Sequence, residues 1–195
     1  MIPEFNHSHV LPPFLGSDPR AVAQTSPFAV SMRELVERFC HQAGRRPLLI
    51  GLLKYRAELA SLGFVRGFQW IDGSFAEDVE ASQNRAPNDI DLVTFAHSPT
   101  ELTSAEIATL LNAHPHLFQP EQAKAAFGCD AYIVPLDKSP ELLVKRTAYY
   151  FSLFSHRRGD HVWKGLLQVP LKSDDVHAWE LLQNTEPGDR DVASA

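Results

Sequence analysis

Apolar residues recur at helical spacing in the clearest stretch of the chain. Leucines follow that spacing from Arg46 to Leu62, and this periodicity predicts a helix. Pro47 suits the first helical position, and Gly63 suits the position just beyond the last turn. The pattern therefore predicts a helix that buries a leucine-rich face.

The starts of other helices are marked by capping residues. Ser31 is followed three positions later by Glu34, and Thr103 by Glu106, so both pairs match the capping box. Two of the expected helices begin at these hydroxyl residues. A third covers 121–127, and a fourth runs from Ser139 to about 154.

Four further segments have the composition of strands. They cover 64–71, 89–95, 129–136 and 161–171, and the turn Asp72-Gly73-Ser74 closes the first of them. The polar stretch 77–88 is expected to be a loop, or a short helix followed by a loop. This order of helices and strands predicts a small α+β (mixed α/β) domain that ends in a helix and a hairpin.

The two ends of the chain differ from its middle. The first thirty residues hold five of the 14 prolines and predict an extended N-terminal arm over 1–30. Residues 31–172 are expected to form the single domain, since domains commonly contain about 100–200 residues. Acidic residues dominate 173–195, which is expected to be a C-terminal tail.

Charge is unevenly distributed along the 195 residues. The net charge of -6 excludes a basic surface that binds nucleic acid over its whole extent. However, 138–172 contains seven cations against two acids, whereas 173–195 contains six acids against one arginine. Two interpretations are open: an anion-binding face masked by its own tail, or a solvated helix and hairpin with a frayed terminus.

Cysteine content and hydropathy indicate the compartment. Cys40 and Cys129 are too few for a disulfide framework or a cysteine-rich zinc site, and they suit a reducing cytoplasm. The first residues are polar and interrupted by prolines, so a signal peptide is not expected, and no apolar run of 18 residues occurs. We therefore expect a cytoplasmic protein without a membrane partner.

The candidate chemistry begins with alternating acids. Asp89 and Asp91 are two residues apart on a predicted strand, so both carboxylates point to one side while Ile90 and Leu92 enter the core. Adjacent carboxylates repel each other unless something offsets their charge, and Mg²⁺ prefers such oxygen ligands together with substrate phosphates. The spacing thus predicts a divalent metal site.

Two neighbouring features complement this pair. Gly73 and Ser74 follow a strand, where a glycine permits close approach and the turn offers N–H groups to phosphate. Asp130 begins the next strand and is the candidate for a third metal ligand or for the base that takes the acceptor's proton. Asp137, at the end of the same strand, competes for that role but lies in a sequence typical of a turn.

Together these residues resemble the signature of the DNA polymerase β-like nucleotidyltransferase superfamily. The signature has a hydrophobic residue, Gly and Ser, a spacer, alternating acids and apolar residues, and a later acid-bearing strand. The matching residues are Ile71, Gly73, Ser74, Asp89, Ile90, Asp91, Leu92 and Asp130. The resemblance covers 64–136.

The resemblance implies a fold and an activity. The fold would be a mixed sheet flanked by helices. Two Mg²⁺ ions, or Mn²⁺ in their place, would be held by Asp89, Asp91 and Asp130. An NTP would bind through its triphosphate at Gly73 and Ser74 and would donate its NMP to a hydroxyl.

The small size resembles the minimal nucleotidyltransferases of bacterial toxin–antitoxin and anti-phage systems. This implies a protein side chain or an RNA end as the acceptor, and a cognate toxin or antitoxin as a partner. The spacer 75–88 departs from the pattern because it is longer than in the compact enzymes. It predicts an enlarged loop over 79–86.

Four cations are candidates for contacts with the acceptor or with phosphate: Lys145, Arg157, Arg158 and Lys164. The last three surround Trp163, whose ring could stack on a base. A solvent-facing hairpin with Trp163 packed on the sheet is the alternative.

Two other functions remain open at this stage. One is a catalytically weak protein of the same fold that binds a partner, and the other is a small-molecule nucleotidyltransferase of the antibiotic-modifying type. Three converging carboxylates argue against the first, because an idle site has no physical reason to keep them.

Overall fold

The computed structural model describes residues 1–186 and contains a five-stranded sheet flanked by helices. The strands are β1 (Phe28–Ala29), β2 (Gly67–Asp72), β3 (Ile90–Ala96), β4 (Cys129–Pro135) and β5 (Leu167–Pro170). The helices are α1 (Met32–Phe39), α2 (Arg46–Ser61), α3 (Val79–Gln83), α4 (Ser104–Ala113), α5 (Pro115–Phe118), α6 (Pro120–Phe127), α7 (Pro140–Phe154) and α8 (Asp175–Asn184).

The sheet is mixed, with strand order β1-β5-β2-β3-β4. β2 lies antiparallel to both β3 and β5, whereas β3 and β4, like β1 and β5, run parallel. The expected α+β class is confirmed at this level.

The two faces of the sheet carry separate apolar clusters, because side chains alternate along each strand. Ile71, Ile90 and Leu92 enter the larger cluster, which also contains residues of α1, α2, α6 and α8. Trp70 and Val93 face the other way and pack with residues of α7. A cavity at the ends of β2 and β3 can therefore be lined by residues of α7.

Several predicted helix starts are confirmed. Ser31 and Thr103 each accept a hydrogen bond from the backbone N–H three residues on, and the acid there bonds back to the cap. Pro47 lies in the first turn of α2, and α7 begins at Pro140. The short helix α5 was not expected from the sequence.

The predicted strand 161–171 is wrong in its first half. Only Leu167–Pro170 pairs with β2, while the preceding segment contributes a single bridge from Trp163 to His156. The reason is local, because Lys164 in this segment is buried and pairs with Asp72 and Glu77. These polar contacts, rather than pairing with β2, determine the path of the segment.

Both ends of the chain are packed against the domain. In the arm, Val10 and Leu11 are fully buried, and β1 pairs with β5. In the expected tail, α8 packs on α1 and buries Ala178 and Leu182, so this part is not a frayed end. The rest of the expected tail, 187–195, lies outside the described residues.

None of the described helices is both long enough and apolar enough to cross a membrane.

Candidate active site

Three aspartates form a row across the ends of three adjacent strands. Asp72 of β2 is paired in register with Asp91 of β3, and Asp91 is paired with Asp130 of β4. Residues directly opposite each other in a sheet project to the same face. Since this is the face of Trp70 and Val93, the acid row (Asp72, Asp91 and Asp130) lies where that apolar cluster ends.

Asp91, at the centre of the acid row, is electrostatically unfavourable as a carboxylate. Burial, followed by the charges of Asp89 and Asp130, raises the pKa of Asp91 to about 6, while Arg158 and Lys164 oppose the rise. The carboxylate therefore lacks sufficient countercharge from the protein alone, which is typical of a functional carboxylate.

Asp89 lies just before β3 and is engaged by a cation. It forms an ion pair with Lys124 of α6. Asp89 and Lys124 both line the cavity described below, on the side of β4. Lys124 is not among the site residues predicted from the sequence. The only indication of its position is Gly128, four residues later, which ends helix α6.

The turn after β2 is shaped to approach Asp91. Gly73–Ala76 forms one short 3₁₀ turn, and Gly73 has a φ of +74°. A Cβ at Gly73 would collide with the Asp91 carboxylate, so only glycine allows this turn and this acid to be so close. The predicted phosphate turn and the predicted acidic strand thus meet directly.

Lys164 is buried beneath this turn, with 2% of its surface exposed. Its ammonium group lies 2.6 Å from Glu77 Oε1, 3.1 Å from Asp72 Oδ2 and 3.3 Å from the Gly73 carbonyl oxygen. Lys164 was predicted to be an acceptor or phosphate contact, but all three of its N–H donors are used within the protein. Its direct role is to tie the turn to the acid row.

Asp72 is the member of the acid row that sequence reasoning underrated. The sequence marks it only as the first residue of the turn that closes the predicted strand, yet it is buried and its Oδ1 atom has no hydrogen-bond partner. Burial raises the pKa of Asp72 to about 7, although the charge of Lys164 opposes this. Its position in the sequence, just before Gly73, does not indicate that it lies opposite Asp91 in the sheet.

Arg45 fixes the segment that follows the turn. Its buried guanidinium group donates to Glu80 and to the carbonyl oxygens of Phe75 and Glu77. These bonds hold the segment that was expected to be an enlarged loop. Part of that segment, Val79–Gln83, is helix α3 rather than loop. Nothing in the pattern of the sequence singled out Arg45.

A cavity of about 340 Å³ collects most of the predicted site residues. Those that line it are Gly73, Ser74, Asp89, Asp91, Asp130, Arg157, Arg158 and Lys164. Lys145 is exposed on α7 and does not line it. Asp137 lies beyond the far end of β4, where it bonds to His97 and the Ser98 N–H, so Asp130 is the acid on this strand that reaches the cavity.

The two neighbouring arginines have different surroundings. Arg157 pairs with Asp160 and donates to the Ser8 carbonyl oxygen of the arm. Arg158 is exposed, and its charge lowers the pKa of Asp91. Arg157 is therefore a structural contact as well as a cavity residue, whereas Arg158 is available to an anionic ligand.

The donor chemistry fits Mg²⁺, because carboxylate oxygens are its preferred protein ligands. Gly73 also leaves space beside Asp91 that any side chain would fill. Within residues 1–186, however, no three His, Cys, Asp or Glu side chains are gathered closely enough to hold an ion. The described residues thus supply suitable oxygen donors but not a preformed metal site, because Asp89 is paired with Lys124.

Comparisons with known proteins yield one match. No curated protein and no solved structure matches the chain. A family profile matches residues 3–170, which include all but the first two residues of the arm, the turn at Gly73 and every strand of the sheet. The chain therefore belongs to DUF6932, a family of unknown function.

Proposed function

We propose that this protein is a metal-dependent nucleotidyltransferase of the polymerase β-like fold, which moves an NMP from an NTP to a hydroxyl acceptor. One observation carries the proposal: the Gly73 turn and the Asp91 carboxylate are in direct contact in a cavity that also contains Asp130 and Arg158. A phosphate-binding turn and converging carboxylates are the two parts that the reaction requires.

The phosphate-binding part consists of the turn after β2 and one exposed cation of the cavity wall, Arg158. Gly73 and Ser74 present the turn, and the Ser74 hydroxyl can donate to a phosphate oxygen. Arg158 is exposed at the edge of the cavity, where its guanidinium can bind a phosphate of the donor or of the acceptor. Lys164, bound to Glu77 and Asp72, holds the turn in position rather than contacting the ligand.

The carboxylates belong to the reacting end. Asp89 and Asp91 would hold Mg²⁺, and Asp130 would complete the ligand set or accept the proton of the attacking hydroxyl. A bound metal would offset the carboxylate charges and stabilise the oxygens of the displacement. The acceptor oxygen forms a bond to the α-phosphorus, pyrophosphate leaves with the electrons of the broken bond, and the hydroxyl proton passes to a carboxylate.

The acceptor class rests on the resemblance of the sequence to the minimal enzymes. It is a protein side chain or an RNA end, in a toxin–antitoxin or anti-phage system. A small-molecule acceptor is the second candidate, because the cavity of about 340 Å³ also suits a compact substrate.

The experiment uses NTPs that carry the label on either the α- or the γ-phosphate. The protein is incubated with each NTP, Mg²⁺ and cell extract, and both protein and RNA fractions are analysed. We expect transfer from the α-labelled NTP alone, and none after chelation of the metal. Transfer from the γ-labelled NTP would indicate a kinase, and transfer that persists in a variant with Asp89→Ala and Asp91→Ala would overturn the proposed site.

A further inference from the structure

A second cavity adjoins the first on the side of α7. We call it the side cavity, and its volume is about 520 Å³. Leu153, His156, Arg157 and Arg158 belong to the walls of both cavities. A ligand in the side cavity can therefore reach across this shared wall to the acid row.

Histidine and arginine side chains line much of the side cavity. His156, His161, Arg157 and Arg158 contribute to it, and no carboxylate among the described residues does so. Arg157 already pairs with Asp160, but Arg158 has no hydrogen bond or ion pair within the described part of the chain. The electrostatic character of this wall suits an anion, and Arg158 is the group free to bind it.

An aromatic ring stands in the same wall. Tyr149 is 57% exposed, although its ring packs edge-on against Tyr150 with centroids 5.0 Å apart. Tyr150 is itself buried in the cluster under α7. The position of the Tyr149 ring is thus fixed by packing while most of its surface remains open to a ligand.

We propose that the side cavity binds the terminal nucleotides of a single-stranded polynucleotide, which is the acceptor of the reaction. The inference rests on the proposed function and names the substrate class of that site. A base stacks on Tyr149, a backbone phosphate contacts Arg158, and the terminal hydroxyl extends over the shared wall to the acid row. Stacking rings with cations along a groove are the usual means of binding single strands.

The alternative macromolecular acceptor is a protein side chain. An acidic peptide would satisfy Arg158 but would leave the exposed ring of Tyr149 without a partner. A neutral or basic peptide would leave Arg158 and the histidines unmatched. A chain that carries both planar bases and phosphates matches Tyr149 and Arg158 together, and the free NTP, which carries the same groups, is the competitor that the test must separate from it.

The test measures binding without NTP or metal, so that it does not depend on catalysis. Fluorescein-labelled single strands of about ten nucleotides, a length within the usual range of such sites, are titrated with the protein and followed by fluorescence anisotropy. RNA and DNA of one sequence form two arms, which identify the sugar that is preferred, and the corresponding duplex forms a third.

The variants separate stacking and charge from folding. Tyr149→Ala and Arg158→Ala are each expected to weaken single-strand binding by about 5- to 100-fold, whereas Tyr149→Phe is expected to retain it. Lys138→Ala removes an exposed cation next to Asp137, beyond the far end of β4, and is expected to change binding by less than about twofold. Thermal unfolding checks that each variant folds.

Each result decides between the proposals. Single-strand binding that depends on Tyr149 and Arg158, without any α-label transfer, supports the side cavity and overturns the proposed function. Transfer to protein alone, with no single-strand binding, overturns the polynucleotide acceptor and leaves nucleotidyl transfer intact. If Tyr149→Ala weakens the binding of free NTP as much as that of the oligonucleotide, the side cavity holds the donor base and the inference is wrong.

Discussion

Two clusters of buried charge lie on opposite faces of the same sheet and differ in how completely they are paired. Arg56 of α2 donates to Asp175 of α8, to Gln69 of β2 and to two backbone carbonyl groups. Gln69 in turn donates to Thr94. We call this the Arg56 cluster, and every nitrogen of its guanidinium group has a hydrogen-bond partner.

The acid row is the opposite case. Asp72 Oδ1 is buried without a partner, and Asp91 has a pKa raised to about 6 chiefly by burial. Asp91 and Asp130 also face a cavity rather than packed side chains. Burial of charge alone therefore does not identify a functional site: the paired cluster stabilises the fold, and the incompletely paired one is suited to a ligand.

The largest change in stability is expected at the Arg56 cluster. Arg56→Leu leaves the Asp175 carboxylate and the Gln69 carbonyl oxygen without their donor, which should cost about 3–5 kcal/mol of unfolding free energy. Urea unfolding measures the loss. Arg20→Leu, which removes an exposed pair with Asp18, serves as the control and should leave the midpoint near that of the wild type. Equal midpoints for both variants would contradict the structural role of the Arg56 cluster.

The next effect concerns the contact between the turn and the acid row. Gly73→Ala introduces a Cβ that collides with Asp91, at a φ of +74°, and should destabilise the protein by about 1–3 kcal/mol or displace the turn. Gly16→Ala is the matched control, because Gly16 has a φ of +73° and its Cβ would meet only the end of the Gln24 side chain. Thermal unfolding should show the larger loss for Gly73→Ala, and equal losses would mean that the Asp91 contact is unimportant.

The free energy of unfolding is expected to depend on pH through Asp91 of the acid row. The pKa of Asp91 is higher in the folded protein than the model-peptide value of 3.8, so the folded state binds a proton that the unfolded state does not. The contribution of this group is therefore greatest below pH 4 and is lost as pH rises through about 6.

Asp91→Asn removes this dependence. In a chelator, the wild type should lose unfolding free energy relative to Asp91→Asn as pH is raised from 5 to 8, and chemical unfolding at each pH measures the difference. A constant difference across this range would show that the Asp91 carboxylate is not under strain in the folded protein.

The smallest effect is expected at Asp137, the acid that does not reach the cavity. The Ser98 N–H, followed by His97, lowers the pKa of Asp137 to about 2. A lowered pKa stabilises the folded state above the unfolded value and loses that contribution as pH falls through about 2. Asp137→Asn should therefore lower the melting temperature slightly at pH 7 and have less effect at pH 2, while leaving α-label transfer unchanged.

Much of the fold and of the site could be predicted because the signals are local. Capping boxes at Ser31 and Thr103 depend on residues three apart, and the alternation from Asp89 to Leu92 depends on neighbours in one strand. These patterns placed the acids and the turn near one another. In the structure, the parallel pairing of β3 and β4 sets Asp91 level with Asp130.

The parts that could not be predicted depend on contacts between distant residues. Lys164 resembles a surface cation in the sequence, and only the fold buries it against Asp72 and Glu77. Likewise α8 carries the acids of an expected tail, yet Asp175 is the partner of Arg56, 119 residues away. A buried ion pair across such a distance has no local signature.

The most direct measurement compares activity and stability in one pair of variants. Wild type, Asp91→Asn and Asp137→Asn are assayed for transfer of α-label to the same acceptor fraction, and each is unfolded in urea at pH 8. We expect Asp91→Asn to lose transfer by at least about 100-fold, a loss of about 2.7 kcal/mol in transition-state stabilisation, while its stability equals or exceeds that of the wild type. Asp137→Asn should transfer at the wild-type rate. Undiminished transfer by Asp91→Asn would contradict the claim that the acid row is the catalytic centre.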